Sequence, residues 1–300
     1  MSACRSAVLH VGFTYLILCM GCVVGQKQRV ATTVAVSCSN QPQNVFFLLT
    51  STPTRAARLM RVVETMRQQT LRPRGIILTV AERYDGARFE NHTSFSVPEG
   101  LRQFQSVASS NAAAVSHLRL HKLRKDLGPI SKYHGAADLP TDAIVVVGDD
   151  DMYYGSTFIE DYACAVAKSA PDTVFSSGID PDCIGKGVAA GCVMGFRGIG
   201  MRAGMLHGLS TAMQVPDACY LADDLAITFY LAHLKGFQIR RLRLRTKYRF
   251  DHEFAWSNSS INTYHRQRSF RVNKACAASL QQLRQSREGP RTTDVGRGET

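Results

Sequence analysis

Residues 142–154 read DAIVVVGDDDMYY, and this stretch decides the fold. Ile144 to Val147 is an unbroken run of β-branched apolar residues closed by Gly148. A run this short without a polar interruption reads as a strand buried on both faces, as in a parallel sheet covered by helices. The second half is three adjacent carboxylates, Asp149, Asp150 and Asp151. In open parallel sheets ligands sit beyond the carboxyl ends of the strands, so the triplet stands at the mouth of a crevice. Three neighbouring like charges repel one another and pack poorly. A divalent cation with oxygen ligands, Mn2+ or Mg2+, relieves that repulsion. The plainer alternative is a solvated acidic turn.

Working outward, Val45 to Thr50 (VFFLLT) is a second apolar run, stopped by Ser51-Thr52-Pro53. Leu59, Val62, Val63 and Met66 recur at helical spacing within Arg55–Gln69, with Thr54 as a candidate N-cap. Gly75-IILTV follows as another buried strand, and strand–helix–strand in this order predicts a right-handed parallel unit. Residues 84–117 carry no pattern that defines an element. His117–Leu123 reads as a strand, and a short helix is expected after Pro129. Further helices are expected over Ser156–Ser169, Ala222–Leu234 and Lys274–Arg287, with strands at Thr173-VFSSG and within Phe237–Phe250. Two decoys fail. A calcium loop starting at Asp149 would need Gly where Tyr154 stands, and no G-x-x-x-x-G-K-[ST] phosphate loop occurs.

The formal charge of +12 suggests an anionic partner without naming one. Ser6 to Gln26 is uncharged, and its apolar centre of nineteen residues would span roughly 28 Å as a helix, about a bilayer core. Residues 1–26 are therefore expected to be a signal anchor or a signal peptide. Residues 27–43 read as a stem, 44–287 as one α/β domain, and 288–300 as a polar, disordered tail. The main part of the chain is then expected in the secretory-pathway lumen, on a Golgi or ER membrane, or secreted if the segment is cleaved. Two glycosylation triplets agree, Asn91-His92-Thr93 and Asn258-Ser259-Ser260. So do the six cysteines beyond the N-terminal segment, an even number able to pair in an oxidising compartment. Cys183 with Cys192 is the first expected pair, because it closes a short loop. No Cys/His spacing suits zinc. A lumenal address makes nucleic acid a poor candidate partner.

The ordered set of motifs resembles GT-A fold glycosyltransferases, and in particular a group of small transferases of that fold. The resemblance rests on Thr52-Pro53-Thr54-Arg55 after the first strand, Met66-Arg67-Gln68-Gln69 on the helix and Ile76-Ile77-Leu78-Thr79-Val80. It continues through Asp126-Leu127-Gly128-Pro129-Ile130-Ser131-Lys132, the triple aspartate with Tyr153, and Asp223-Asp224 opening a late helix. It covers about residues 44–250. One departure is Tyr154-Gly155 where Tyr-Pro is common, which alters the turn but not the carboxylates. The resemblance implies a Rossmann-like, mostly parallel sheet flanked by helices, preceded by the N-terminal anchor helix. It also implies sugar transfer from a nucleotide-diphosphate sugar to a glycan or glycoconjugate acceptor with a divalent metal.

Roles follow from the same resemblance. Asp151 is the expected metal ligand, Asp149 a ligand of ribose or of a metal-bound water, and Asp150 serves in either position. Thr50 and Arg55 end the first strand, where the fold holds the nucleoside. Asp126 would accept a hydrogen bond from base or ribose, and Lys132 would offset phosphate charge. Asp224 is the expected base for the acceptor hydroxyl with Asp223 in support, which leans toward inversion without fixing it. Capping and the helix dipole alone would also favour that acidic pair. His252 could complete the metal site, although a lone His is more often structural. Two other classes stay open: a lectin-like relative without turnover, and a metal-dependent phosphohydrolase using the same aspartates. Arg241, Arg243, Arg245, Lys247 and Arg249 alternate with less polar residues, so period two puts the cations on one face. Such a face usually serves solvation or edge protection, and less often meets an anionic glycan or a membrane surface.

Overall fold

A computed structural model of the chain describes residues 32–34, 38, 42–84, 94–106, 117–180, 191–250 and 261–288. The N-terminal apolar segment, both glycosylation triplets, His252, Cys183 and the tail from 289 lie outside the described residues. Among the described residues no helix is long and apolar enough to cross a membrane.

The core is an eight-stranded sheet. Its strands are β1 (Thr32–Val34), β2 (Val45–Thr50), β3 (Gly75–Ala81), β4 (His117–Leu123), β5 (Ile144–Val147), β7 (Thr173–Ser176), β10 (Ile199–Arg202) and β11 (Gln238–Arg243). They lie in the order β1-β11-β7-β10-β5-β2-β3-β4. All neighbours are parallel except β10, which runs against both β5 and β7. Short two-stranded pairs join β6 (Met152–Tyr153) to β12 (Arg249–Phe250) and β8 (Ile179–Asp180) to β9 (Cys192–Val193). The mostly parallel, helix-flanked sheet expected from the apolar runs is therefore present.

Alternation along the central strands divides the core into two layers. Phe47, Leu49 and Val146 face α1 (Leu59–Arg67) and α4 (Phe158–Ala167), meeting Leu59, Val63, Met66 and Phe158. Leu48, Val145 and Val147 face the other way, toward α3 (Ser131–His134) and α6 (Asp223–Thr228). All four residues of β5 are buried, which is why its sequence reads as a continuous apolar run.

Several elements differ from expectation. The helix expected from Arg55 begins instead as a 3-10 turn at Pro53–Arg58, with Pro53 in its first turn and Thr54 outside the capping position. Helix α2 (Glu99–Ser106) occupies part of the stretch that showed no element. Leu101, fully buried, seats it. After α6 the chain widens into a π-helical turn, Phe229–Leu234. The last helix, α7, runs from Ile261 to Glu288 and is longer than expected.

The segment read as a stem also contributes structure. Thr32–Val34 pairs with β11 at the sheet edge, and Cys38 is bonded to Cys164 of α4. A second disulfide, Cys219–Cys276, fastens α7 to the turn before α6. Cys192 is disulfide-bonded as well. Gln69 explains its place in the helix motif: its amide donates to the Gly155 carbonyl and its oxygen accepts from Ile159 N–H, joining α1 to α4.

One buried charge fixes the basic strand region. Asp161, with no solvent exposure, accepts from Thr157 Oγ1 (3.0 Å), Arg245 N–H (2.8 Å) and Arg245 Nε (2.5 Å). Glu160 adds a 2.8 Å contact to the same guanidinium. Removing the carboxylate leaves the Thr157 hydroxyl and Arg245 N–H without their acceptor, while the exposed Arg245 guanidinium keeps Glu160 and water. Asp161→Leu is expected to lower unfolding free energy by about 2 kcal/mol, read from denaturant titration.

Candidate active site

The carboxyl ends of β2 and β5 lie side by side, because Leu48 is in register with Val147. The chain leaving β2 therefore passes the acidic triplet that follows β5. Ser51 Oγ donates to Asp150 (2.5 Å), and the Arg55 guanidinium reaches Asp150 and Asp151 at 2.8 Å each. Tyr154 folds back under the turn, accepting from Asp149 N–H (2.6 Å) and donating to its carbonyl (3.0 Å). A Cβ on Gly148 would collide with that hydroxyl, so the glycine is needed for the staple.

On the other side, the Gly128–Ile130 turn leads into α3 and delivers Lys132, almost fully buried. Its Nζ lies 2.6 Å from Asp149 and 2.8 Å from Asp223. One ammonium thus joins the triplet to the acidic pair that opens α6. Asp224 Oδ1 accepts from Gly195 N–H at 2.7 Å, in the glycine-rich segment between β9 and β10. A Cβ at Gly195 would lie 2.9 Å from Lys132 Nζ and 3.1 Å from Asp224 Oδ1. The small residue there lets the backbone approach both charged groups.

These charges shift one another. Burial raises the Asp224 carboxyl well above the ordinary 3.8, Asp223 pushes in the same direction, and Lys132 and the Gly195 N–H oppose them. Burial likewise raises Asp151 to about 6, with Arg55 resisting and Asp149 and Asp150 adding repulsion. Asp150 moves up for the same leading reason. Burial disfavours the Lys132 ammonium, but Asp149 and Asp223 outweigh it and the net shift is upward.

Of the residues singled out from the sequence, Arg55, Lys132, Asp149, Asp150, Asp151, Asp223 and Asp224 form one connected network. Asp126 and Thr50 have other partners. Asp126 accepts from Gly128 N–H (2.9 Å) with one oxygen and from the Tyr220 hydroxyl with the other. It fastens its own turn to the segment that carries Asp223. Thr50 donates to the Thr79 carbonyl (2.7 Å) across the β2–β3 pair. Lys132, expected to offset phosphate, is held by carboxylates instead. Sequence reading missed Ser51, which looked like turn punctuation. It also missed Gly195, one glycine among several, and Tyr154 and Tyr220, whose only signal was their position beside acidic motifs.

No group of three or more His, Cys, Asp or Glu side chains among the described residues is arranged as a complete metal site. The donor chemistry nevertheless suits a hard cation. Asp151 Oδ1 is buried and has no hydrogen-bond partner, while Oδ2 is engaged by Arg55. Mg2+ and Mn2+ sites commonly use one or two carboxylates and take their remaining ligands from substrate phosphates and water. Asp151, with half-buried Asp149 beside it, fits that description.

No protein-family model matches the sequence, and no curated relative does. Among solved structures, the chain is similar to the mannosyltransferase PcManGT from Pyrobaculum calidifontis, in complex with GDP-Man and Mn2+, at 16% identity and a TM-score of 0.44. The match spans 74% of this chain and 63% of that one.

Two outcomes follow from the geometry. Gly128 has φ of +76°, and a Cβ there would meet the Tyr220 carbonyl. Gly128→Ala should therefore cost about 2 kcal/mol or more in denaturant titration. Asp224 binds its proton more tightly folded than unfolded, so its contribution to stability falls as pH rises above the ordinary carboxylate range. Asp224→Asn is expected to raise the melting temperature at pH 8, with the gain vanishing near pH 3.

Proposed function

We propose that this chain is a metal-dependent glycosyltransferase that moves a sugar from a nucleotide-diphosphate sugar to a glycan or glycoconjugate acceptor. The observation that carries the reading is the single network in which Lys132 joins Asp149 of the triplet to Asp223 of the acidic pair. A displacement at an anomeric carbon needs two functions within one sugar's length of each other. One holds the charge of the departing diphosphate; the other removes a proton from the incoming hydroxyl.

Asp151 would hold the metal through Oδ1, with Asp149 assisting. When bound, the ion supplies Lewis-acid stabilisation of negative charge on the diphosphate. Ser51 and Arg55 fix Asp150, and Arg55 also fixes Asp151, so the carboxylates are oriented before substrate arrives. Asp224 is the base. Its Oδ1 is occupied by the Gly195 N–H, leaving Oδ2 to accept the acceptor hydroxyl proton. The acceptor oxygen forms the new bond to the anomeric carbon as the bond to the diphosphate oxygen breaks, and the electron pair leaves with the nucleoside diphosphate. A single displacement of this kind inverts the anomeric centre. The raised proton affinity of Asp224 makes it a stronger base than an ordinary carboxylate. Asp223, tied to Lys132, supports it.

The chain is proposed to work in the secretory pathway, attached through residues 1–26. Two disulfides within the described residues favour an oxidising compartment.

The decisive assay is nucleoside diphosphate release by the full chain in detergent, screened over UDP and GDP sugars with Mn2+ and with EDTA. Release of one nucleotide that needs metal and falls roughly 100-fold in Asp151→Ala is expected. No release, and no nucleotide binding by calorimetry, would remove the reading. The pH profile tests the base. Activity should rise with pH through an acid limb above the ordinary 3.8, and Asp223→Asn should move that limb to lower pH by removing a like charge.

A further inference from the structure

The alternating cations of residues 241–249 have no part in the chemistry above. Arg241, Arg243, Arg245, Lys247 and Arg249 are all exposed, while Leu242 is buried and Leu244, Thr246 and Tyr248 are half-buried. Period two is thus maintained beyond the end of β11. Edge protection does not account for it, because β11 lies inside the sheet between β1 and β7. Among the described residues only Arg245 of the five is neutralised, by Glu160 and Asp161. Arg241, Arg243, Lys247 and Arg249 have no carboxylate among the described residues within ion-pair distance, and together they repel one another.

The surface they line is concave. A cleft of about 350 Å³ runs along Arg241, Arg243 and Lys247, and a larger one of about 890 Å³ continues past Lys247 and Arg249 to α1. The two adjoin at Lys247 and Tyr248, which line both, and together they make up the groove. Tyr153 lies on its wall, with the Arg249 guanidinium 5.3 Å from the ring centroid. Glu64 on the α1 side is itself within 3.3 Å of Arg67. Tyr153 follows Asp151 by two residues, at most ~7 Å of extended chain. The groove therefore opens beside the carboxylate proposed to serve the donor.

We infer that this groove holds an anionic saccharide chain, one bearing carboxylate, sulfate or phosphate groups, as the extended part of the acceptor. The inference rests on the transferase reading and deepens it. Spaced cations match spaced anionic groups along a chain, and tyrosine rings offer apolar faces to sugar rings. A bilayer surface is broad and cannot enter a cleft. A nucleic acid strand could, and it is tested as a competitor.

The experiment measures binding of a labelled oligogalacturonate to the full chain in detergent by fluorescence anisotropy at low and moderate salt. A neutral galacto-oligosaccharide of equal length, phosphatidylserine vesicles and a single-stranded DNA of similar length are run beside it. Expected is salt-sensitive binding of the oligogalacturonate, weaker binding of the neutral chain, and a roughly tenfold loss in the Arg241→Gln, Lys247→Gln double variant. Lys274→Gln, an exposed change on α7, should leave binding unaltered. Equal binding of the neutral chain, or an unchanged double variant, would overturn the inference. So would vesicles or DNA binding more tightly than the saccharide with the same loss in the variant. Nucleotide release assayed in parallel separates the two ideas. Release without groove-dependent binding removes this inference alone, and groove-dependent binding with neither release nor nucleotide binding removes the transferase reading while the anionic-saccharide site stands.

Discussion

A fully buried ammonium is the constraint around which the site is built. Lys132 is 1% exposed, and its charge would be untenable there without the carboxylates of Asp149 and Asp223. Those two residues come from distant parts of the chain, one after β5 and the other at the start of α6. Their common need for one cation draws the two ends of the site together. The neighbouring requirements follow from it. Gly195 has no side chain because a Cβ would crowd both Lys132 and Asp224. The turn at Gly128 takes a left-handed conformation, and Asp126 and Tyr220 clasp the segments on either side.

The fold was legible where burial is symmetric. β5 and β3 are covered on both faces, and apart from Thr79 every position in them is apolar or glycine, so the sequence says so directly. α1 was equally plain, since one face alone meets the sheet and Leu59, Val62, Val63 and Met66 mark it. α2 was not, because it lies in a polar stretch rich in Ser, Asn and Ala that shows no clear pattern. The long-range disulfides were beyond reach for a different reason: Cys38 meets Cys164 across 126 residues, a proximity that only the folded sheet creates. The short-loop pair expected of Cys192 is a separate case; Cys192 is disulfide-bonded, and Cys183 lies outside the described residues.

In the site, residue type was legible and partnership was not. A carboxylate in a turn can face a ligand or satisfy its own backbone, and the two look the same in one sequence. Asp126 spends both oxygens on Gly128 N–H and Tyr220, while Asp151 keeps one buried oxygen without a partner. Arg55 and Lys132 posed the same ambiguity from the cationic side. Each was expected to meet substrate, and each is instead occupied by aspartates whose charges need them.

The charge balance of the site bears on what can bind it. Five carboxylates, Asp149, Asp150, Asp151, Asp223 and Asp224, face two cations, Arg55 and Lys132. Burial is the leading reason that Asp150, Asp151 and Asp224 all hold protons more tightly than ordinary carboxylates, and the neighbouring carboxylates add to it. A diphosphate approaching this cluster alone would meet net repulsion, despite the formal charge of +12 on the whole chain. The cations of the groove, Arg241, Arg243, Lys247 and Arg249, are not paired with these aspartates. On the transferase reading the two halves therefore need different partners. The acidic end requires a divalent cation to accompany an anionic donor, whereas the basic groove attracts an anionic acceptor with no metal at all.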